Sequence, residues 1–123
     1  MNDSDYGNIT VSDDVIASYL SEAILKTKGV AELYAGLSDT LSKNILGKDS
    51  INKGLKITKD DEGYEIDVFI IVEYGVKIPE IAWDVQKNII NEIENVMEIV
   101  IKNVNIHIQG VSLPKGDKVE TDG

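Results

Sequence analysis

From Tyr64 to Tyr74 the chain places Tyr64, Ile66, Val68, Ile70, Val72 and Tyr74 at every second position. Period-two alternation marks a strand, because successive side chains point to opposite faces. The intervening positions begin polar, with Glu65 and Asp67, and then turn apolar at Phe69 and Ile71. Such a strand belongs in the middle of its sheet, with its second face partly covered. A second copy of the chain is one way to supply that cover.

The flanks of this strand extend the pattern. Leu55 to Lys59 precedes it across Asp60-Asp61-Glu62-Gly63, a hairpin signal. Downstream, in "VEYGVKIPE", Gly75 lets the backbone turn, Pro79 suits the first helical position and Glu80 falls in the first turn, where the helix dipole favours an acid. From Pro79 to about Asn95, Ile81, Ala82, Val85, Ile89, Ile93 and Val96 keep helical spacing. Glu98 to Val111 is a long strand, with Ile99 and Ile101 on one parity and Val104, Ile106 and Ile108 on the other. That switch near Lys102-Asn103 predicts a bulge, since one extra residue exchanges the faces.

Upstream, Asn8 to Val11 reads as a short strand, and Ser12 as the N-cap of a helix over residues 13 to 27 built on Val15, Ile16, Tyr19, Leu20, Ala23, Ile24 and Thr27. Asp13 and Asp14 suit its positive end, and Gly29 is read as its C′ stop. Val30 to Tyr34 is a short strand. Leu37, Leu41 and Ile45 recur every four residues and predict a shorter helix, and Lys48 to Lys53 a mobile loop. The expected architecture is α+β: a single two-layer domain with a mixed or antiparallel sheet, a hairpin, and two main helices packed on one face. Residues 1–6 are expected to form a flexible N-terminus, 7–113 the domain, and 114–123 a disordered acidic tail.

Composition narrows the function classes. A chain of 123 residues, 42% of them hydrophobic, fits one domain with an ordinary core. It has no cysteine, hence no disulfide framework or thiolate, which suits a reducing cytoplasm. Met1 to Ser12 lacks the basic-then-apolar pattern of a signal peptide. No stretch approaches the roughly 18 apolar residues that cross a bilayer, so direct membrane insertion is not expected. The net charge is −10 and every cation is a lysine, which argues against nucleic acid as a partner.

Candidate chemistry is sparse. His107 is the one histidine and shares the polar parity of the last strand with Asn105 and Gln109. Without cysteine or an acid at ligand spacing it makes a poor metal site. Asp60-Asp61-Glu62 lacks the spacing of a calcium loop, and the glycines form no phosphate-binding motif or GxxG loop. Trp83 sits at the border of the long helix's apolar stripe, as rim packing or as an interface anchor. Glu73 and Asp84 are the best remaining acid pair; with His107 they define an alternative reading, a small acid-dependent enzyme. No cofactor or metal is expected.

Three segments carry a resemblance: "GNITVSDDVIASYLSEAILKTKGVAEL", "IDVFIIVEYGVKIPEIAWDVQKNI" and "VNIHIQGV". In order and spacing they resemble the signature blocks of the bacterial alkaline-shock or general-stress protein family, over roughly residues 6 to 113. The middle block resembles that family's "VEYG" and following helix through Ile81-Ala82 and Val85-Gln86. The last resembles its "VNVHVQGV", with His107, Gln109 and Gly110 in place. The chain departs in its short acidic ends, without the charged extensions of some relatives. The resemblance implies a non-enzymatic, cytoplasmic protein of Gram-positive bacteria linked to cell-envelope stress or homeostasis. It implies self-assembly in some members, peripheral membrane placement through a membrane-anchored partner in others, and in one branch a link to fatty-acid synthesis through acetyl-CoA carboxylase. It brings no catalytic residues with it. The expected function is thus a homo-oligomerising protein-interaction module. Its candidate surface is Phe69, Ile71, Glu73, Tyr74, Trp83, His107 and Gln109.

Overall fold

The long alternating segment has strands on both of its edges. In the computed structural model, which describes residues 7–34, 50–52 and 54–114, the elements run α1 (Asp13–Leu25), β1 (Val30–Leu33), β2 (Ser50–Asn52), β3 (Leu55–Asp60), β4 (Gly63–Glu73), α2 (Ile78–Met97) and β5 (Ile101–Ser112). The sheet is mixed. β4 pairs antiparallel with β1 and β3, β3 with β2, and β5 lies parallel to β4. A parallel neighbour requires a crossover, and α2 is that crossover.

β1 and β3 share one edge of β4 end to end. β3 pairs with Gly63 to Val68 and β1 with Ile70 to Val72. The seam is Phe69, whose N–H donates to the Gly54 carbonyl at 2.8 Å and whose carbonyl accepts from the Tyr34 N–H at 2.8 Å. Gly54 holds a positive φ of 89° there, and a Cβ would press on the Tyr34 and Phe69 carbonyl oxygens at 3.0 and 3.1 Å.

Tyr64, Ile66, Val68, Ile70 and Val72 all point into the core, as their alternation requires. Against them pack Ile16, Leu20 and Ile24 of α1 and Ile81, Val85, Ile89 and Ile93 of α2. Both helices therefore cover one face of the sheet. Between them Thr27 is buried: its hydroxyl donates to the Ala23 carbonyl at 3.0 Å and accepts from Asn88 Nδ2 at 2.8 Å. Both partners of a buried hydroxyl are thus supplied by protein.

Several expectations hold and others need correction. Ser12 caps α1, its Oγ accepting from the Val15 N–H at 3.3 Å. The bulge near Lys102-Asn103 is present: Tyr64 pairs with Ile101 and Glu65 with Asn103. A second irregularity, at Gln109, has no counterpart in the parity of the strand. Asn8 to Val11 joins no described strand; it precedes the Ser12 cap and lies beside Lys59, Tyr64 and Met97 to Ile99. α1 stops at Leu25, with Lys26 as a right-handed C-cap, so Gly29 is not its C′ residue. Gly29 instead turns the chain into β1 at φ +99°, packed against the Ile81 side chain. Ser50–Asn52 is a strand rather than loop, fixed by its ladder to Leu55–Ile57. The helix expected from Leu37, Leu41 and Ile45 and the tail from 115 onward lie outside the described residues.

The hairpin tip is tied across the sheet. Asp60 Oδ1 accepts from the Glu62 and Gly63 N–H groups at 2.8 and 3.2 Å, and Lys102 Nζ bonds its other oxygen. The Lys102 hydrogen bond, helped by the Glu62 N–H, holds the Asp60 carboxyl below its ordinary 3.8, and the same bond raises Lys102 above 10.5. A lowered carboxylate pKa contributes stability above its unfolded value, lost as pH falls through the folded one. The stability deficit of Asp60→Asn relative to the parent should therefore be full at neutral pH and shrink as pH drops below that ordinary value, read by urea unfolding across pH. Gly29→Ala should destabilise the domain by about 2–4 kcal/mol, combining left-handed strain with overpacking on Ile81, as measured by the same unfolding midpoint.

Candidate functional site

Because both helices take one side of the sheet, the odd positions of β4 face away from them. Glu65, Asp67, Phe69 and Ile71 are all half-buried there. The parallel register sets Asn105 beside Asp67 and His107 beside Phe69. Asn105 Nδ2 donates to Glu65 Oε2 at 3.0 Å and to Asp67 Oδ1 at 3.1 Å. His107 Nε2 meets the same Asp67 oxygen at 2.9 Å. An ionised carboxylate only accepts, so Nε2 carries the proton. The His107 ring also stacks on Phe69, centroids 4.4 Å apart and planes 11° from parallel.

The result is an aromatic pair bordered by a carboxylate–amide network. Asp67 is the better shielded of the two, with 19% of its side chain exposed against 40% for His107. The hydrogen bond to Asp67 and the stack on Phe69 together fix the imidazole's orientation. Among the described residues, no three of His, Cys, Asp and Glu gather to hold a metal ion.

The seven residues expected to form one interaction surface divide between two. Phe69, Ile71 and His107 share the sheet face that is left open by every described helix and strand. Glu73 is exposed at the end of β4, paired with Ser112, and Tyr74 follows it in the turn, also exposed. Gln109 is exposed at the second bulge of β5. Trp83, 62% exposed, stands on α2, on the opposite side of the sheet. It lines a groove of about 400 Å³ between α2 and β5, with Gln86, Lys87, Ile90, Lys102 and Val104. Gln86 Nε2 donates to the Val104 carbonyl at 3.0 Å across the inner end of that groove.

Glu73, Asp84 and His107 are not brought together. Asp84 is on α2, behind the sheet from His107, and Glu73 stands four strand positions beyond Phe69, about 13 Å at ~3.3 Å per residue. The acid that meets His107 is Asp67. Its polar parity is visible in the sequence, but its pairing with His107 depends on a parallel register set through α2 and the Lys102 bulge. No helix among the described residues is long and apolar enough to cross a membrane.

Residues 1–113 match the model of the alkaline-shock protein family, described as having a cell envelope-related function. The chain belongs to this family. It is 32% identical over 121 residues to the uncharacterized protein YqhY of Bacillus subtilis, covering 98% of this chain and 89% of that one. Identity is also 32% over 108 residues to YloU of the same organism, covering 86% and 89%. Spy1535 of Streptococcus pyogenes is 29% identical over 114 residues, covering 91% and 84%. No solved structure matches the chain significantly. The family match spans every element described above, so the open sheet face and the α2–β5 groove both lie within the alkaline-shock domain.

The hydrogen-bond assignment is open to direct measurement. In the neutral imidazole, nitrogen-15 NMR should report His107 predominantly as the Nε2–H tautomer. Asp67→Ala should reduce that preference.

Proposed function

We propose that this alkaline-shock-family chain is a protein-interaction module of cell-envelope homeostasis that self-associates and works without a catalytic centre of its own. The observation that carries this reading is the two-sided character of β4. One side is sealed by both helices, while the other presents Phe69, Ile71 and the His107 ring, half-buried, inside a frame of Glu65, Asp67 and Asn105. An aromatic and aliphatic centre with a polar rim is the composition of a protein interface. The chain's −10 charge favours partners with a basic or neutral contact surface.

The alternative, an acid-dependent enzyme, needs Glu73, Asp84 and His107 to converge, whereas Asp84 lies behind the sheet from His107 and Glu73 is about 13 Å along it at ~3.3 Å per residue. The family's cell envelope-related function supports a role near the envelope. The finer placement is a membrane-anchored partner or an enzyme of fatty-acid synthesis such as acetyl-CoA carboxylase. It would be recognised by which proteins the open face captures.

Immobilised chain should retain specific proteins from a Bacillus subtilis lysate, identified by mass spectrometry. Phe69→Glu should reduce that capture at least tenfold, because a charge at the interface centre is left desolvated. The fold should survive, since Phe69 faces away from the helices. Capture unchanged by Phe69→Glu, or no protein above background, would refute the reading.

A further inference from the structure

β5 has a free side. Among the described residues it pairs only with β4, so the outer edge of this 12-residue strand carries backbone groups that no described strand bonds. Such an edge is a template for another strand unless it is blocked. Here it is blocked at one carbonyl only among the described bonds, that of Val104, by Gln86. Above the edge overhang Trp83 and Ile90, both exposed, leaving the α2–β5 groove open.

A second feature lacks a place in the fold. Asn8-Ile9-Thr10-Val11 alternates polar and apolar residues as a strand does, yet it joins no strand, and Ile9 is 81% exposed. The segment is acidic on both flanks, with Asp3 and Asp5 before it and Asp13 after it. The groove contains Lys87 and Lys102 and no carboxylate among its lining residues. Lys102 also bonds Asp60, so Lys87 is the stronger attractor. Lys102 also stands in the field of Glu62 and Glu65, so on this chain of net charge −10 it is Lys87 that attracts an acidic segment to the groove.

We propose that Asn8–Val11 of one copy adds as a strand to the outer edge of β5 in a second copy, seating Ile9 and Val11 beneath Trp83 and Ile90. The inference rests on the self-association proposed above and assigns its contact. It uses main-chain bonds for affinity and alternate side chains for register, as strand addition does generally.

The placement of the parts favours exchange between copies. Ile9, Thr10 and Val11 lie near Met97, Glu98 and Ile99, where the chain approaches the start of β5, and the groove lies against Lys102 to Val104 at that same end. A two-fold axis there lets each copy give an arm and receive one. Within one chain the segment has little length to spare. Ser12 is fixed as the cap of α1, which packs on β1, β2 and β3, while the groove lies past α2. Four residues span about 13 Å at ~3.3 Å each, and crossing a helix that sits ~8–10 Å from its neighbour consumes most of that.

The absence of cysteine makes the test direct. Separately purified Ile9→Cys and Ile90→Cys chains, mixed and treated with a short bis-maleimide, should give a cross-linked species of twice the 13.5 kDa monomer. Ile9→Cys mixed with Lys26→Cys, on α1's exposed C-terminal turn, should not. In sedimentation, Ile9→Asp/Val11→Asp and Trp83→Ala should each raise the dimer dissociation constant at least tenfold, and added salt should weaken the parent dimer. Circular dichroism should stay unchanged, since Ile9, Val11 and Trp83 lie outside the core. Undiminished self-association of the arm variant would overturn the strand exchange while sparing the self-association reading. A strictly monomeric parent at tens of micromolar would overturn both. A doubly substituted chain that cross-links only within itself would also refute exchange between copies.

Discussion

The hydrogen bonding of β4 on both edges is the constraint from which the rest of this molecule follows. One edge is filled by a single parallel strand, β5, and the other by two strands in succession, β3 and then β1. A strand so enclosed has no backbone group to spare for water, and its side chains alone decide what the two faces do. The even positions are aliphatic or tyrosine and draw both helices to one side. The odd positions then face away from the helices, whatever their chemistry. The parallel partner has a further effect. It commits α2 to cross the sheet, which carries Trp83 and Ile90 out over the β5 edge and creates the groove.

Much of this is legible in the sequence because it is local. Alternation through Tyr64 to Tyr74 identifies β4, the Asp60 to Gly63 turn identifies the hairpin, and a period of 3.6 identifies α2. Even the Lys102 bulge is visible, because a parity switch is a one-dimensional signal. What stays hidden depends on partners distant in the chain. Ser50–Asn52 is too short to show a pattern and is a strand only because β3 offers an edge. Asn8 to Val11 has a strand's pattern and pairs with no described strand of its own chain. The meeting of Asp67 and His107 needs a parallel register that no local pattern encodes. Periodicity groups Trp83 with Phe69 and His107 as one surface, because it gives a face for each element but not the side of the sheet.

The two surfaces have different chemistry, which bears on how an alkaline-shock domain of this kind is used. The open sheet face is flat, with an aromatic stack held in register by Asp67 and Asn105. Flat, pre-ordered faces suit a folded partner, since little side-chain freedom remains to be lost on contact. The α2–β5 groove is concave, lysine-bearing and adjoins an unpaired backbone edge, and it suits an extended segment. The two lie on opposite sides of the sheet, so occupation of one leaves the other accessible. A self-associated form would then display several sheet faces at once, raising avidity for an array of targets without any change in the individual contact.

The seam at Phe69 also bears on how such a domain varies. β1 and β3 are each held to β4 by their own ladder, and neither depends on the other for its register. At Phe69 the two ladders come within one residue of each other on the β4 edge, joined through the Gly54 and Tyr34 backbone bonds. A change that disturbs one ladder therefore leaves the other's pairing to β4 in place. Phe69 acts as a fixed joint between two stretches of the sheet that can change independently.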